Sequence, residues 1–258
     1  MLTIDLSGKT GLVLGVANQR SLAWAIAQAL SKAGARLAFT YQGERLQENV
    51  TQLASRSEGS IVMACDVTSD EQMDGVFNRL RREFGRLDFL VHSIAYARRE
   101  DLEGEFRATS RDGWHTALDI SSYSLVALTS RAVPLMDRHG GSIVAMTFQA
   151  SKRVFPNYNV MGSAKAALEQ AVRQLAWELG DRDIRVNALS AGPVPTLSAR
   201  GISGFTSMVA HARRHAPLRR NIEPREVADA ALFLLSPMAS GITGTTLYVD
   251  AGYHIMGI

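Results

Sequence analysis

Tyr158 and Lys165 stand seven residues apart in the stretch FPNYNVMGSAKAALE, residues 155–169. If the chain after Pro156 is helical, seven steps of about 100° return to nearly the same face, roughly 10 Å along the axis. Helical side chains lean toward the N-terminus, so the lysine stem points back toward the phenol. A free phenol titrates near 10. A neighbouring ammonium favours the phenolate and makes the hydroxyl a better proton donor. Such a pair suits a reaction that builds negative charge on a substrate oxygen. Ala164, Ala166 and Ala167 keep the surrounding face small, which leaves room for a ligand or another helix. The same spacing also occurs in helices that do no chemistry, so the surrounding elements decide the reading.

Those elements alternate. Short apolar runs that read as strands occur at 9–16, 36–41, 61–65, 87–92, 142–147, 185–189 and 246–249. Helical patterns lie between them: one through Leu30 to Gly34, then 44–56, 69–84, 110–137, 157–179 and 224–235. Strands this apolar, separated by helices, imply a parallel sheet covered on both faces. The expected fold is α/β, a Rossmann-type doubly wound sheet of about seven strands forming a single domain over 1–258. The first strand runs into GVANQRSLA (residues 15–23) and then a helix, the arrangement in which backbone amides and a helix N-terminus receive a pyrophosphate. Gly15 is present, but Ala23 stands where a later glycine is often found. Ligands in such a sheet sit at the carboxyl ends of the strands. That rule lines up 15–23, Gln42, Asp66, Val67, 93–97, Thr147, Phe148 and 190–197 along one edge, which Tyr158 and Lys165 also face.

Composition narrows the class. With 46% hydrophobic and 21% charged residues over 258 positions, the chain can bury a large core. A net charge of +3, with aromatics not interleaved among the basic residues, argues against nucleic acid as a partner. Cys65 is the single cysteine; it excludes an intrachain disulfide, fits a reducing compartment and reads as a small buried hydrophobe. The opening MLTIDLSGKT has no apolar signal core, and no apolar run is long enough to span a bilayer. A cytoplasmic enzyme with no membrane association is the expectation. The six histidines show no ligand spacing, so no metal is expected.

The segments GVANQRSLAWAIA, AFTYQ, CDV, HSIA, DISSYS, PNYNVMGSAKAALE, RVNALSAGPV and GTTLYVDAGY resemble the enoyl-acyl-carrier-protein reductase branch of the short-chain dehydrogenase/reductase family, from Leu6 to Tyr253. The resemblance implies NAD as cofactor, with Gly15, Ala17, Ser21 and Leu22 along the pyrophosphate turn. It sets Gln42 at the adenosine ribose and Asp66 and Val67 at the adenine. Ser93, Ile94 and Ala95 would follow the cofactor backbone, and Lys165 the nicotinamide ribose. Ala191, Gly192, Pro193, Val194 and Thr196 would reach its carboxamide end. A 2′-phosphate would want a cation where Gln42 stands, so NADH is favoured over NADPH, with Arg45 close enough to leave NADPH open. Simpler readings stand beside several of these. Ser21 and Asp66 also suit helix caps, Gln42 a solvated loop, and Val67, Ile94 and Val194 the core.

The reaction implied is reduction of a trans-2-enoyl thioester on acyl carrier protein. Tyr158 and Lys165 would be catalytic, and Tyr96, Ala97, Phe148, Tyr158, Met161, Leu197, Ile202, Phe205 and Met208 would contact substrate. The segment at about 195–215 would be a helical substrate-binding element, either a mobile lid or a buried amphipathic helix. Carbonyl reductases of the wider family usually carry a Ser thirteen residues before the Tyr, where this chain has Ala145. A catalytically silent nucleotide-binding regulator is the reading from another class. Phe148 replaces the second Tyr of many relatives, implying a more apolar pocket. Residues 202–209 lack charge, and Arg213, Arg214, Arg219 and Arg220 are the candidates to steer an acidic carrier. Coenzyme A or a specialised carrier is the alternative. The resemblance further implies a homotetramer built on the long helices from Ser110 and Asn157.

Overall fold

The computed structural model describes residues 4–196 and 203–257. Seven parallel strands form one sheet: β1 (Thr10–Leu14), β2 (Arg36–Tyr41), β3 (Ile61–Ala64), β4 (Phe89–His92), β5 (Gly141–Thr147), β6 (Ile184–Ala191) and β7 (Thr246–Val249). Their spatial order is β3-β2-β1-β4-β5-β6-β7. The order reverses between β1 and β4, which are paired directly. That reversal opens the crevice in which doubly wound sheets bind ligands. All seven expected strands are present, most within one to three residues of their expected bounds.

Alternate residues of each strand enter two separate cores, as the period-2 geometry of a strand requires. Val13, Phe39, Val91 and Val144 pack on one face with α1 (Leu22–Lys32) and α9 (Pro224–Leu235). Leu12, Leu90, Ile143 and Ala145 pack on the other with α3 (Asp70–Glu83). On that face they also meet α6 (Ser124–Met136) and α7 (Asn159–Leu179). α2 (Glu44–Ala54) covers the first face beside β2. Local signals set the helix starts. Ser69 caps α3 by accepting from the Gln72 amide at 3.3 Å. Pro224 occupies the first position of α9, where its missing N–H is harmless.

The helical stretch expected at 110–137 is present but not uniform. It comprises α5 (Arg111–Leu118), a π-helical turn at Asp119–Tyr123, and α6. Two further helices line the carboxyl edge: α4 (Arg99–Leu102), which periodicity does not reveal in so short a piece, and α8 (Phe205–His215). α8 is not a buried amphipathic helix, since Ala212 is the one buried residue described in it.

Gly15 couples β1 to β4. Its φ is +94°, and a Cβ there would lie 2.0 Å from the Ser93 carbonyl oxygen. Gly75 in α3 is the opposite case, exposed and with nothing within 4 Å of an added Cβ. Gly15→Ala should destabilise by about 1–3 kcal/mol. Gly75→Ala should stabilise by about 0.5–1 kcal/mol. Thermal or urea unfolding of the two variants measures both signs.

Candidate active site

The carboxyl ends of β4, β5 and β6, with α4, α7 and α8, enclose a cavity of about 330 Å³. Tyr158 lies on its wall with Phe148, Met161 and Thr147, and Leu102 from α4 lines it together with Phe205 and Met208 from α8. Tyr158 is the N-cap of α7 and does not lie inside it. This corrects the expectation of a helix running from Pro156. Asn157 and Asn159 both have positive φ, 62° and 27°, so the regular helix begins only at Asn159. The Tyr158 ring is held instead by tilted aromatic contacts. Phe148 lies 5.1 Å from it at 49°, and Phe155 lies 4.8 Å from Phe148 at 55°.

Lys165 lies one and a half turns into α7, 5% exposed, and its Nζ donates to the Met146 carbonyl at 2.8 Å. Burial pulls its pKa from the ordinary 10.5 to about 8, opposed by the charge of Glu169 one turn further on. Glu169 is also buried and accepts from Thr147 Oγ1 at 3.0 Å and Ser151 Oγ at 2.6 Å. Burial raises the Tyr158 phenol well above its ordinary range. The expected depression by the lysine is therefore not the dominant effect. Desolvation is the one cause of that upward shift. The phenol stays protonated at neutral pH and acts as a donor. His92, fully buried at the end of β4, is pushed down to about 3 by burial and then by the Lys165 charge. Its Nε2 lies 2.8 Å from Ser124 Oγ.

Most of the residues expected to touch substrate are brought together. Tyr96, Ala97, Phe148, Tyr158, Met161, Phe205 and Met208 all line the cavity. So do Leu22, Ala95, Ala191, Gly192, Pro193, Val194 and Thr196, expected along the cofactor. Gly15, Ala17, Ser21, Gln42, Asp66, Val67, Ser93 and Ile94 lie outside the cavity lining. Lys165 stands behind its wall. Leu197 and Ile202 fall outside the described residues. The sequence reading missed Leu102, an apolar residue after Arg98-Arg99-Glu100-Asp101 that only tertiary folding turns inward.

The outer part of the edge answers the simpler readings. Ser21 does not cap α1. Its Oγ donates to the Asn18 carbonyl at 2.5 Å and accepts from the amides of Ala17 and Asn18 at 3.4 and 3.5 Å. α1 therefore begins with no side-chain cap and no acid in its first turn, a setting that suits an anion. Asp66 does not cap α3 either. It accepts from Thr68 N and Oγ1 at 2.9 and 2.7 Å and from Gln42 Nε2 at 2.9 Å, and its pKa is lowered. A neutral amide beside a carboxylate suits a ribose hydroxyl and not a 2′-phosphate. Val67 belongs to the core, and Val194 to both core and cavity. Cys65 is buried with its thiol pushed up to about 11, mainly by burial. Among the described residues no cluster of three or more His, Cys, Asp or Glu could hold a metal ion, and no helix is long and apolar enough to cross a membrane.

A doubly wound parallel sheet whose carboxyl edge carries a helix start with no side-chain cap is the arrangement in which α/β oxidoreductases bind a dinucleotide. A family model described as Enoyl-(Acyl carrier protein) reductase matches residues 15–254. The enoyl-(acyl-carrier-protein) reductase (NADH) FabI of Bacillus cereus is 51% identical, covering 98% of this chain and 99% of that protein. The FabI of a Nostoc species is 50% identical over 99% of this chain and all of its own. A crystal structure of the Bacillus cereus reductase with NADP+ and indole naphthyridinone superposes with a TM-score of 0.96 at 50% identity, with full coverage of both chains. The chain belongs to the enoyl-acyl-carrier-protein reductase family.

The Lys165–Glu169 arrangement makes a titration prediction. Glu169→Gln keeps both hydroxyl bonds to the side chain but removes the negative charge that favours the ammonium. Lys165 should then titrate below the native value of about 8, and NMR titration of the lysine Nζ, with Lys165→Met for assignment, measures the shift.

Proposed function

We propose that the protein reduces the carbon–carbon double bond of trans-2-enoyl thioesters on acyl carrier protein, with NADH as reductant, in fatty acid elongation. The observation that carries this reading is the donor set at the cavity wall. Tyr158 brings its phenol to a cavity whose described lining contains no serine. Thr147 and Ser151 both point their hydroxyls at Glu169, and Ala145 is buried in the core strand. Ketone reductases of the wider family usually carry a serine beside the tyrosine, and no serine is among the described residues lining this cavity.

The uncapped start of α1, with Gly15, Ala17, Ser21 and Leu22, would hold the pyrophosphate of the dinucleotide. Gln42 and Asp66 would hold the ribose, and 191–196 the carboxamide end. When bound, the nicotinamide supplies a hydride to the substrate β-carbon. The charge that then develops on the thioester oxygen is met by the Tyr158 hydroxyl, a donor that burial keeps protonated. Lys165 would orient the nicotinamide ribose and add positive potential, an interaction strongest when the oxygen is most negative. Phe148 and Phe155 keep the phenol ring from rotating away. Leu102, Met161, Phe205 and Met208 provide an apolar wall for the acyl chain and exclude water.

The pairing of Gln42 with Asp66 favours NADH, because a 2′-phosphate would meet an anion there. Arg213 and Arg214 at the end of α8 are the cations best placed to attract an acidic carrier. Arg220 is taken by Glu226 in a two-point contact of 2.7 and 2.6 Å. Trp177, 80% exposed on α7, and Val126 on α6 give apolar surface to a homotetramer built on these helices. The reading sets the enzyme in the cytoplasm.

NADH consumption should follow addition of a trans-2-enoyl thioester and not of a 3-ketoacyl thioester. Activity on the ketone alone would overturn the reading. Tyr158→Phe should lower turnover about 10²–10³-fold while leaving NADH binding intact.

A further inference from the structure

Asn157 and Asn159 flank Tyr158, and each turns its amide toward a different wall of the cavity. Asn157 Nδ2 donates to the Ser203 carbonyl at 3.1 Å, immediately before Gly204, the N-cap of α8. A Cβ on Gly204 would itself lie 3.8 Å from that nitrogen, so the start of α8 closes down on Asn157. α8 brings Phe205 and Met208 to the cavity. Asn159 Nδ2 donates to the carbonyls of Glu103 at 3.4 Å and Gly104 at 3.2 Å, directly after α4. α4 brings Leu102. The two walls therefore reach the phenol through one three-residue segment.

The backbone of that segment is unusual in the same place. Asn157 and Asn159 have φ of 62° and 27°, with Tyr158 between them at −108°. Asn tolerates the left-handed region better than other L-residues because its short amide can bond locally. Here the amides bond to other elements instead. Backbone held in sparsely populated regions persists only where its surroundings over-determine it, and such positions cluster at functional sites.

We propose that Asn157 and Asn159 are positioning residues that tie the α8 and α4 walls separately to Tyr158, holding a long acyl chain in register with the phenol. The proposal rests on reading the cavity as a thioester site. Tail contacts and the thioester oxygen must be satisfied at once, and these two amides set the distance between them.

Asn157→Asp and Asn159→Asp replace the donating amide by oxygen at nearly the same shape and keep tolerance for positive φ. Asn157→Gly and Asn159→Gly keep the backbone and delete the amide. In all four, KM for a long-chain thioester should rise about three- to tenfold, as expected for a lost hydrogen bond. Turnover and KM for NADH should stay within about twofold. Hydrogen exchange should accelerate at 203–208 only in the Asn157 variants and at 99–104 only in the Asn159 variants. Gly variants with native KM and native exchange would show that backbone conformation is the whole role. Exchange raised throughout, or KM raised equally for NADH, would show a merely structural one. Either result overturns the proposal. If the wild-type enzyme reduces only a 3-ketoacyl thioester, the proposed function fails. KM on that ketone and the exchange pattern then still decide the asparagines, and the exchange pattern decides them if neither thioester is reduced.

Discussion

A buried ammonium is among the more expensive groups a fold can accommodate, and Lys165 is held by one carbonyl at the end of β5. That strand end organises the site in three consecutive residues. Met146 accepts from Lys165, Thr147 donates to Glu169, and Phe148 packs its ring at a tilt against Tyr158. α7 is thus registered against the sheet at its cation, its anion and the phenol at its start. A slide of α7 by one residue would break all three contacts together. The geometry of the phenol is therefore a property of the sheet edge as much as of the helix.

The electrostatics follow from the same burial. Desolvation raises the phenol of Tyr158 and lowers Lys165 and His92, so each group is pushed toward its neutral form. Glu169, held by two hydroxyls, is the one partner that acts against this at the lysine. The outcome is a protonated phenol on the wall of an apolar cavity, with a cation of reduced pKa behind that wall. Such a site favours charge that appears on a substrate oxygen during reaction over charge already present before it.

Much of this was readable along the chain. Apolar runs such as LDFLVH and RLAFTY have few other homes than the interior of a parallel sheet, and all seven strands are where they were expected. Carboxyl ends of strands then follow by topology, which is why Ala95, Gly192 and Phe148 could be assigned to one edge. Three features escaped. The π-turn at Asp119–Tyr123 is only five residues long, too short to interrupt the helical pattern on either side, so α5 and α6 read as one helix. Leu102 sits in a single helical turn too short to show a period. The positions of Ser21 and Asp66 were ambiguous because the residue types that cap helices also line turns. Their hydrogen bonds to Asn18 and Gln42 decide the matter.

By itself, the order of residue types determined a doubly wound sheet, the edge at which ligands gather, and a phenol and amine close enough in sequence to act together. Tertiary structure alone decided what those two groups are chemically. Tyr158 left the helix because Asn157 and Asn159 reach across to other segments, and Lys165 lost part of its basicity because the sheet removed its water. Both effects come from contacts between residues far apart in the chain, and desolvation is a property of the enclosing volume that no local pattern carries.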